Sequence, residues 1–214
     1  MRIRLGARLD KVLSLIREGE SLCDVGTDHG KLPVVALLSG RAREATAIDI
    51  SPQSLAKARL LAEQEGVPLR CLVGDGLTPL KEGEAEVVVI AGMGGSEMVR
   101  ILKEAPYRYP RYIFVPHRDS ALVRSYLKEQ NARILRDVTV KEGDHFYFVI
   151  EATFSLPWRE SSLWFGAEGE GFSAYREARL MKIDRLLSLK EDPLLREEKE
   201  ELIHAQALGD RGDA

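Results

Sequence analysis

Short apolar runs alternate with helical segments along the first 130 residues of the chain. The apolar runs predict strands near 21–25, 44–48, 69–73, 86–90 and 111–115. Apolar residues at helical spacing predict helices over 3–18, 31–39, 52–65, 95–104 and 119–130. This alternation favours parallel strands joined by right-handed crossovers, with helices on both faces of an open sheet.

The alternation ends after residue 130. Two extended runs, 133–140 and 145–154, flank a Lys-Glu-Gly-Asp turn and predict an antiparallel hairpin. We therefore predict an α/β fold with a Rossmann-like sheet whose parallel strands end in an antiparallel hairpin. This architecture resembles that of the class I methyltransferases, which use S-adenosylmethionine (SAM).

The remaining chain predicts a small C-terminal helical segment. Residues 155–171 form a loop-rich connector, and helical spacing returns over 172–190 and 194–207, with a break at Pro193. We expect two domains, a SAM-binding domain over 1–154 and a connector with helical domain over 155–214.

Composition restricts the function classes. The 214 residues are 44% hydrophobic and 30% charged, as in soluble globular proteins. No apolar run approaches the roughly 18–20 residues that span a bilayer, and the N-terminus lacks an apolar signal core. The two cysteines and four histidines show no metal-ligand spacing. We expect a cytoplasmic protein without a membrane or metal partner. The net charge of −3 restricts any nucleic-acid surface to a local patch.

A glycine-containing acidic turn follows the first predicted strand. A dinucleotide-binding fingerprint would place glycines at the first, third and sixth positions from Gly26, but Asp28 and Lys31 occupy the later two. A Gly-Lys-Ser/Thr phosphate loop is also absent. Asp24 and Asp28 would repel a pyrophosphate and attract a ligand that carries an ammonium group and a positive sulfur. SAM is such a ligand.

Two further acids follow the next predicted strands. Asp49 ends the second strand, where a carboxylate can accept hydrogen bonds from both ribose hydroxyls of a nucleoside. Asp75 lies in Gly74-Asp75-Gly76 after the third strand, where an acid can accept a hydrogen bond from the amine of adenine. The Gly-Asp-Gly sequence alone indicates a simple turn. Its alignment with the other acids favours the adenine contact.

The fourth predicted strand leads into a second glycine-rich segment, residues 91–95, Ala-Gly-Met-Gly-Gly. Three glycines in four residues indicate a close backbone approach or positive φ angles, as expected for a wall that faces the substrate. The Asn/Asp-Pro-Pro-aromatic signature of enzymes that methylate exocyclic amines is absent. His117, after the fifth strand, either faces the mouth of the site or caps the next helix.

Two groups of basic residues are candidates for RNA contact. Arg4, Arg8 and Lys11 recur at helical spacing and form either a solvated face or a phosphate-contacting stripe. Residues 172–190 carry five basic and two acidic residues, whereas 191–214 carry three basic and eight acidic ones. The first tail helix could therefore contact a polyanion, or the two helices could pair through their opposite charges.

The motifs together resemble those of the bacterial tRNA adenine-N1 methyltransferases of the TrmK type. They are Asp-Val-Gly-Thr-Asp-His-Gly-Lys-Leu-Pro at 24–33, Gly-Asp-Gly-Leu at 74–77 and Ile-Ala-Gly-Met-Gly-Gly at 90–95. The resemblance covers about residues 1–154, and the helical tail has a counterpart in the family. The family usually has Gln-Pro-Asn after the fifth strand and often Glu after the second, whereas this chain has Val115-Pro116-His117 and Asp49.

The resemblance implies that the chain transfers a methyl group from SAM to N1 of adenine 22 in tRNA, as a monomer or weak homodimer. We predict SAM contacts from Asp24, Gly26, Asp28, Asp49, Ile50, Asp75, Gly76, Ala91 and Gly92. We predict substrate contacts from His29, Met93, His117, Arg4, Arg8, Arg176 and Arg179. Asp28 is the predicted catalytic residue, which would stabilise the positive charge on the methylated base. The alternative is that Asp28 only binds the methionine amine or holds the loop.

Two other functions remain open from the sequence. The chain could be a class I methyltransferase for another RNA site or for a small molecule, or a non-catalytic module that binds SAM. A nicotinamide-dependent oxidoreductase is disfavoured because the first turn lacks the required glycines.

Overall fold

Seven strands form one mixed sheet in the computed structural model, which describes residues 3–205. The strands are β1 (Glu20–Val25), β2 (Ala42–Asp49), β3 (Leu69–Val73), β4 (Val87–Ala91), β5 (Arg111–Val115), β6 (Arg133–Glu142) and β7 (His145–Thr153). Their order is β3-β2-β1-β4-β5-β7-β6, and β7 runs antiparallel to both β5 and β6 while the other pairs are parallel. The predicted α/β fold with a terminal antiparallel hairpin is confirmed.

The helices lie between the strands and after them. They are α1 (Ala7–Leu15), α2 (Lys31–Leu38), α3 (Pro52–Glu65), α4 (Gly95–Glu104), α5 (Ser120–Glu129), α6 (Phe172–Leu189) and α7 (Pro193–His204). Local sequence explains several of these boundaries. The Ser51 hydroxyl accepts a hydrogen bond from the Ser54 N–H at the start of α3, and Asp192 caps α7 in the same way.

The predicted first helix is wrong at both ends. Gly6 has φ +85° and ψ 159°, which is not helical, and Ile16 is already extended. Arg4 therefore precedes the helix, and Arg4, Arg8 and Lys11 do not form one helical stripe. The predicted end of the last helix at residue 207, like all of 206–214 and residues 1–2, lies outside the described part of the chain.

Apolar side chains cover both faces of the sheet. On β4, Val88 and Ile90 pack into one core with residues of α4 and α5, while Val87 and Val89 pack into another with residues of α1 and α2. Burial on both faces explains why the central strands are continuously apolar. Among residues 3–205, no helix combines the length and the hydropathy that crossing a membrane requires.

The connector covers the edge of the sheet at β6. The Thr139 N–H donates to the Glu168 carbonyl at 2.8 Å, and the Glu168 carboxylate bonds Arg136 at 2.7 Å. Arg124 of α5 is fully buried and holds both carboxylate oxygens of Asp137 at 2.7 and 2.9 Å. These bonds satisfy an edge strand that would otherwise expose its backbone.

The two tail helices pair with each other through opposite charges. Arg179 holds both oxygens of Glu198 at 2.6 Å, and Lys199 contacts Asp184 at 2.7 Å. Arg176 donates to the carbonyl groups of residues 202 and 203 at 2.6 and 2.8 Å. The structure therefore uses the Arg176 and Arg179 guanidinium groups within the helical pair. Their predicted contact with a substrate stays a prediction.

Arg124→Leu should lower the free energy of unfolding by about 3–5 kcal/mol, because it leaves the buried Asp137 carboxylate without its partner. Chemical denaturation at neutral pH measures the loss. Arg196→Leu is the matched control, since it breaks an exposed pair with Glu191 and should change the unfolding free energy little. Equal losses in the two variants would contradict the role given to burial.

Candidate active site

A cleft of about 650 Å³ opens at the carboxyl ends of the parallel strands. This is where open α/β sheets bind their ligands. All of the predicted SAM-contacting residues line it, as do His29, Met93, His117 and Arg8. Arg4, Arg176 and Arg179 do not line the cleft. The structure thus brings together most of the predicted site in one concave surface.

The Asp24 carboxylate is the most buried charge in the β1 turn, with 5% of the residue exposed. It accepts a hydrogen bond from the Thr27 hydroxyl at 2.6 Å. Burial is the main cause that raises the pKa of Asp24 to about 6. The hydrogen bond from Thr27 partly opposes this rise, and the negative charge of Asp49 adds to it. At neutral pH the group is a poorly solvated anion, which suits a cationic ligand group.

Gly26 brings the β1 turn into close contact with the β4 loop. Its φ is +74°, and its N–H donates to the Ile48 carbonyl at 2.8 Å. A side-chain carbon added at Gly26 would overlap the Met93 Cε. The positive φ is what favours glycine here, since the Met93 methyl lies at the end of a flexible side chain that could move.

Asp28 holds a left-handed backbone conformation, with φ +47°, at the opening of the cleft. Its side chain is 67% exposed, and its Oδ2 lies 2.6 Å from the His29 Nδ1. Its N–H donates to the Asp49 Oδ2 at 3.4 Å. The carboxylate is thus accessible to a ligand and next to an imidazole.

Asp49 joins the β1 turn to the start of α3. Its Oδ1 accepts from the Ser51 N–H at 2.8 Å, while its Oδ2 accepts from the Asp28 N–H. Each carboxylate oxygen has two lone pairs, so both retain the capacity to accept from a bound hydroxyl group. The neighbouring Ile50 is 70% exposed and offers an apolar surface beside the acid.

The Asp75 carboxylate is held by Arg100, a residue that sequence reasoning missed. The Arg100 Nη2 lies 2.7 Å from the Asp75 Oδ1, and its Nη1 lies 3.1 Å from the Oδ2. Arg100 also bonds Glu97 and Glu104 of its own helix, and Arg100 and Glu97 line the cleft. The sequence signal for Arg100 is its spacing from Glu97 and Glu104, which places the three side chains on one helix face. That spacing does not predict a contact with Asp75.

His117 and Arg8 lie at the mouth of the cleft. The His117 ring meets the Tyr147 ring edge to face, with 5.9 Å between centroids, and the Arg8 guanidinium lies 4.9 Å from the Tyr147 centroid. Partial burial and the Arg8 charge lower the pKa of His117, so its imidazole is neutral at pH 7. Asp119, and not His117, occupies the N-cap position of α5.

The side chains of the cleft were also compared with the ligand sets that hold metal ions. Among residues 3–205, no group of three or more His, Cys, Asp or Glu side chains could hold a metal ion. The cleft instead combines carboxylates, close backbone turns and a rim with arginine and histidine.

Comparison with known proteins agrees with this geometry. A family described as "Methyltransferase domain" matches residues 5–150. The tRNA (adenine(22)-N(1))-methyltransferase of Bacillus subtilis (strain 168) is 31% identical over 155 residues, which are 70% of this chain and 65% of that relative. The match thus spans just under two thirds of the relative's length.

Two solved structures share the fold. The M. capricolum TrmK structure, in complex with S-adenosyl-homocysteine (SAH), superposes with a TM-score of 0.81 at 22% identity, covering 93% of this chain and 96% of that one. The crystal structure of the B. subtilis m1A22 tRNA methyltransferase TrmK superposes with a TM-score of 0.77 at 24% identity, covering 94% and 95%. Because both identities are below 25%, these superpositions show that the fold is shared.

Replacing Asp24 by Asn should stabilise the protein at high pH. The pKa of Asp24 is raised from 3.8 to about 6 in the folded protein. The protonated group therefore contributes stability that is fully present only below about pH 3.8 and is lost as pH rises through about 6. The Asn side chain stays neutral and can still accept from Thr27. The stability difference between Asp24→Asn and wild type should therefore grow by about 2 kcal/mol between pH 4 and pH 8.

Chemical unfolding of both proteins across this pH range measures the difference. Asp144→Asn, in the exposed turn between β6 and β7, is the control. If the stability difference between Asp24→Asn and wild type stayed constant with pH, burial would not destabilise the ionised Asp24 carboxylate.

Proposed function

This chain belongs to the methyltransferase-domain family, and we propose that it transfers the methyl group of SAM to N1 of adenine 22 in tRNA. One observation carries the proposal. Asp24 and Asp49 lie at the carboxyl ends of β1 and β2, Asp75 lies just beyond the neighbouring β3, and all three line the same cleft. The B. subtilis relative, named for methylation at N1 of adenine 22, and the TrmK structure that holds SAH support the choice of substrate and donor.

The residues of the cleft fit the three parts of SAM. Asp24, Gly26 and Asp28 would hold the methionine end, since two carboxylates attract its ammonium group and the sulfonium. Asp49 would accept from the ribose hydroxyls, beside the apolar Ile50. Asp75 and Gly76 would contact the adenine, and Ala91 and Gly92 would line the path toward the transferred methyl group.

When bound, SAM supplies a methyl group activated by a positive sulfur. Adenine N1 carries a lone pair in the ring plane, so the chain needs no base to deprotonate it before the transfer. The residues of the cleft would contribute alignment, which is worth several kcal/mol. Asp28 would stabilise the positive charge that develops on the base, or accept from its amine.

The target adenine must leave its stack in the tRNA to reach the cleft. His29, Met93 and His117 would surround it at the mouth, and a neutral imidazole at His117 suits contact with a base that becomes cationic. Arg8, with Arg4 on the exposed segment before α1, would contact the RNA backbone.

We extend the proposal to the whole chain. The methyltransferase domain would comprise residues 1–154, and the connector with the helical pair would form the second domain, 155–214. The separate hydrophobic cluster around Phe165, Phe172, Ile183 and Leu202 supports this division. The protein would act in the cytoplasm as a monomer or weak homodimer.

Incubation of the purified protein with labelled SAM and bulk tRNA, followed by mapping of the modified base, tests the function. Label at N1 of adenine 22 is the expected result. Label at another RNA position would replace the substrate assignment. Binding of SAM without transfer to any RNA would favour a non-catalytic module. A small-molecule enzyme would show no steep salt dependence of tRNA binding.

Asp28→Asn should reduce the turnover number by roughly 100-fold, because the neutral amide stabilises a developing cation poorly. The affinity for SAH should also fall, but by less than the turnover number, because the Asp24 carboxylate still attracts the ammonium group. Single-turnover methylation and calorimetric titration measure the two quantities, with Asp144→Asn as the control. Wild-type turnover combined with weaker SAH binding would mean that Asp28 only holds the donor.

A further inference from the structure

One guanidinium group in the cleft holds acids from two separate segments. Arg100 of α4 bonds both oxygens of Asp75, at 2.7 and 3.1 Å. Its Nη2 and Nε bond both oxygens of Glu97, at 2.6 and 3.1 Å. The turn after β3 is thereby tied to the first turn of α4 at the edge of the cleft.

These bonds fix the orientation of the Asp75 carboxylate. A bidentate contact with a planar guanidinium restricts the carboxylate to one plane. The Asp75 side chain is 54% exposed, so without Arg100 it would rotate freely in water. The negative charge of Glu97 would also repel it. Arg100, which also bonds Glu104, reduces this repulsion without cancelling it and supplies the orientation of the Asp75 carboxylate at the cleft.

The fixed carboxylate can still bind another group. Each of its oxygens has two lone pairs, and Arg100 uses one on each. The bonds to Arg100 lower the pKa of Asp75, so the group is ionised at neutral pH and only accepts hydrogen bonds. An acceptor of this kind binds the 6-amino group of adenine, whereas a purine with hydrogen at position 6 offers it no donor there.

We propose that Arg100 is a positioning residue that makes the cleft specific for a 6-aminopurine, because it holds the Asp75 carboxylate in the orientation that accepts from the amine. This inference rests on the proposed function, since it takes the cleft as the SAM site. It assigns a role to a residue outside the sequence motifs, and it explains how the cleft would select adenine as the base of the methyl donor.

The test compares SAH with its 6-deamino analogue, S-(purine-ribosyl)homocysteine, in which hydrogen replaces the 6-amino group and N1 stays an acceptor. Calorimetric titration of the wild type should show a preference for SAH of roughly 10- to 100-fold. Arg100→Met should reduce this preference by about fivefold or more. Arg100→Lys should give an intermediate value, because it keeps the charge but loses the bidentate contact. A general loosening of the cleft would weaken both ligands and leave their ratio unchanged.

A double-mutant cycle establishes whether Arg100 acts through Asp75. Asp75→Asn should remove most of the preference by itself. Adding Arg100→Met to Asp75→Asn should then change the preference by less than about twofold. Arg196→Met is the matched control, since this arginine also holds both oxygens of a glutamate, but on an exposed helix that does not line the cleft.

A preference in Arg100→Met within about twofold of wild type would overturn the inference. Tighter SAH binding in that variant would overturn it too, because Arg100 would then compete with the adenine. Where Arg100→Met does not fold, Arg100→Lys is judged by the same ratio. A wild-type protein that binds neither ligand would refute the SAM site itself. A wild type that binds SAH and methylates tRNA, with an unchanged ratio in Arg100→Met, would refute the positioning role alone.

Discussion

The register of the parallel strands is the constraint on which the site depends. Asp24 of β1 pairs with Ala47 of β2, so Asp49 lies two residues further along the sheet edge. Asp49 in turn pairs with Val73 of β3, and Asp75 lies two residues beyond it. The first step is about 7 Å along the strands and 4.8 Å across them. Asp75 lies in the bend that follows β3. The strand register thus offsets Asp24 from Asp49 along the sheet and separates their charges.

The two ends of the sheet handle buried charge differently. At the amino ends of the parallel strands, Arg111 is buried between Glu20, at 2.5 Å, and Glu151. Both carboxylates there have the guanidinium as a partner, and these contacts tie β5 to β1 and β7. At the carboxyl ends, Asp24 accepts from the Thr27 hydroxyl, and its pKa is raised to about 6. This costly buried carboxylate lies where a cationic ligand would bind under the proposed function.

Local patterns predicted almost every strand and helix, because both faces of the sheet are buried and the intervening turns carry clear caps. The exception is instructive. The apolar spacing predicts a helix that begins before Arg4, but the backbone of Gly6 is not helical and the helix begins at Ala7. Its φ of +85° accompanies close packing against the Glu142 side chain, a contact between residues far apart in sequence.

The acids of the site could be predicted for the same reason, since each follows a strand whose position is clear from the sequence. Their partners could not. Arg100 is 25 residues from Asp75, and Tyr147 meets Arg8 and His117 only through the antiparallel hairpin. Pairings of this kind arise from tertiary packing and leave no periodic signal. The opposite charges of α6 and α7 do leave a signal, but that signal predicts RNA contact and pairing between the two helices equally well.

Asp28 combines the two requirements that meet in the first turn. It occupies the position where a dinucleotide-binding turn would have its second glycine, and it keeps a glycine-like φ of +47°. Asp tolerates the left-handed region better than most residues, at a cost of about 1–2 kcal/mol. The turn thus keeps the backbone path of a dinucleotide-binding turn. The Asp28 carboxylate occupies the space that a pyrophosphate would need. A glycine there would relieve the strain and remove the charge. Under the proposed function, this cost is offset because the carboxylate would lie beside the donor or the base.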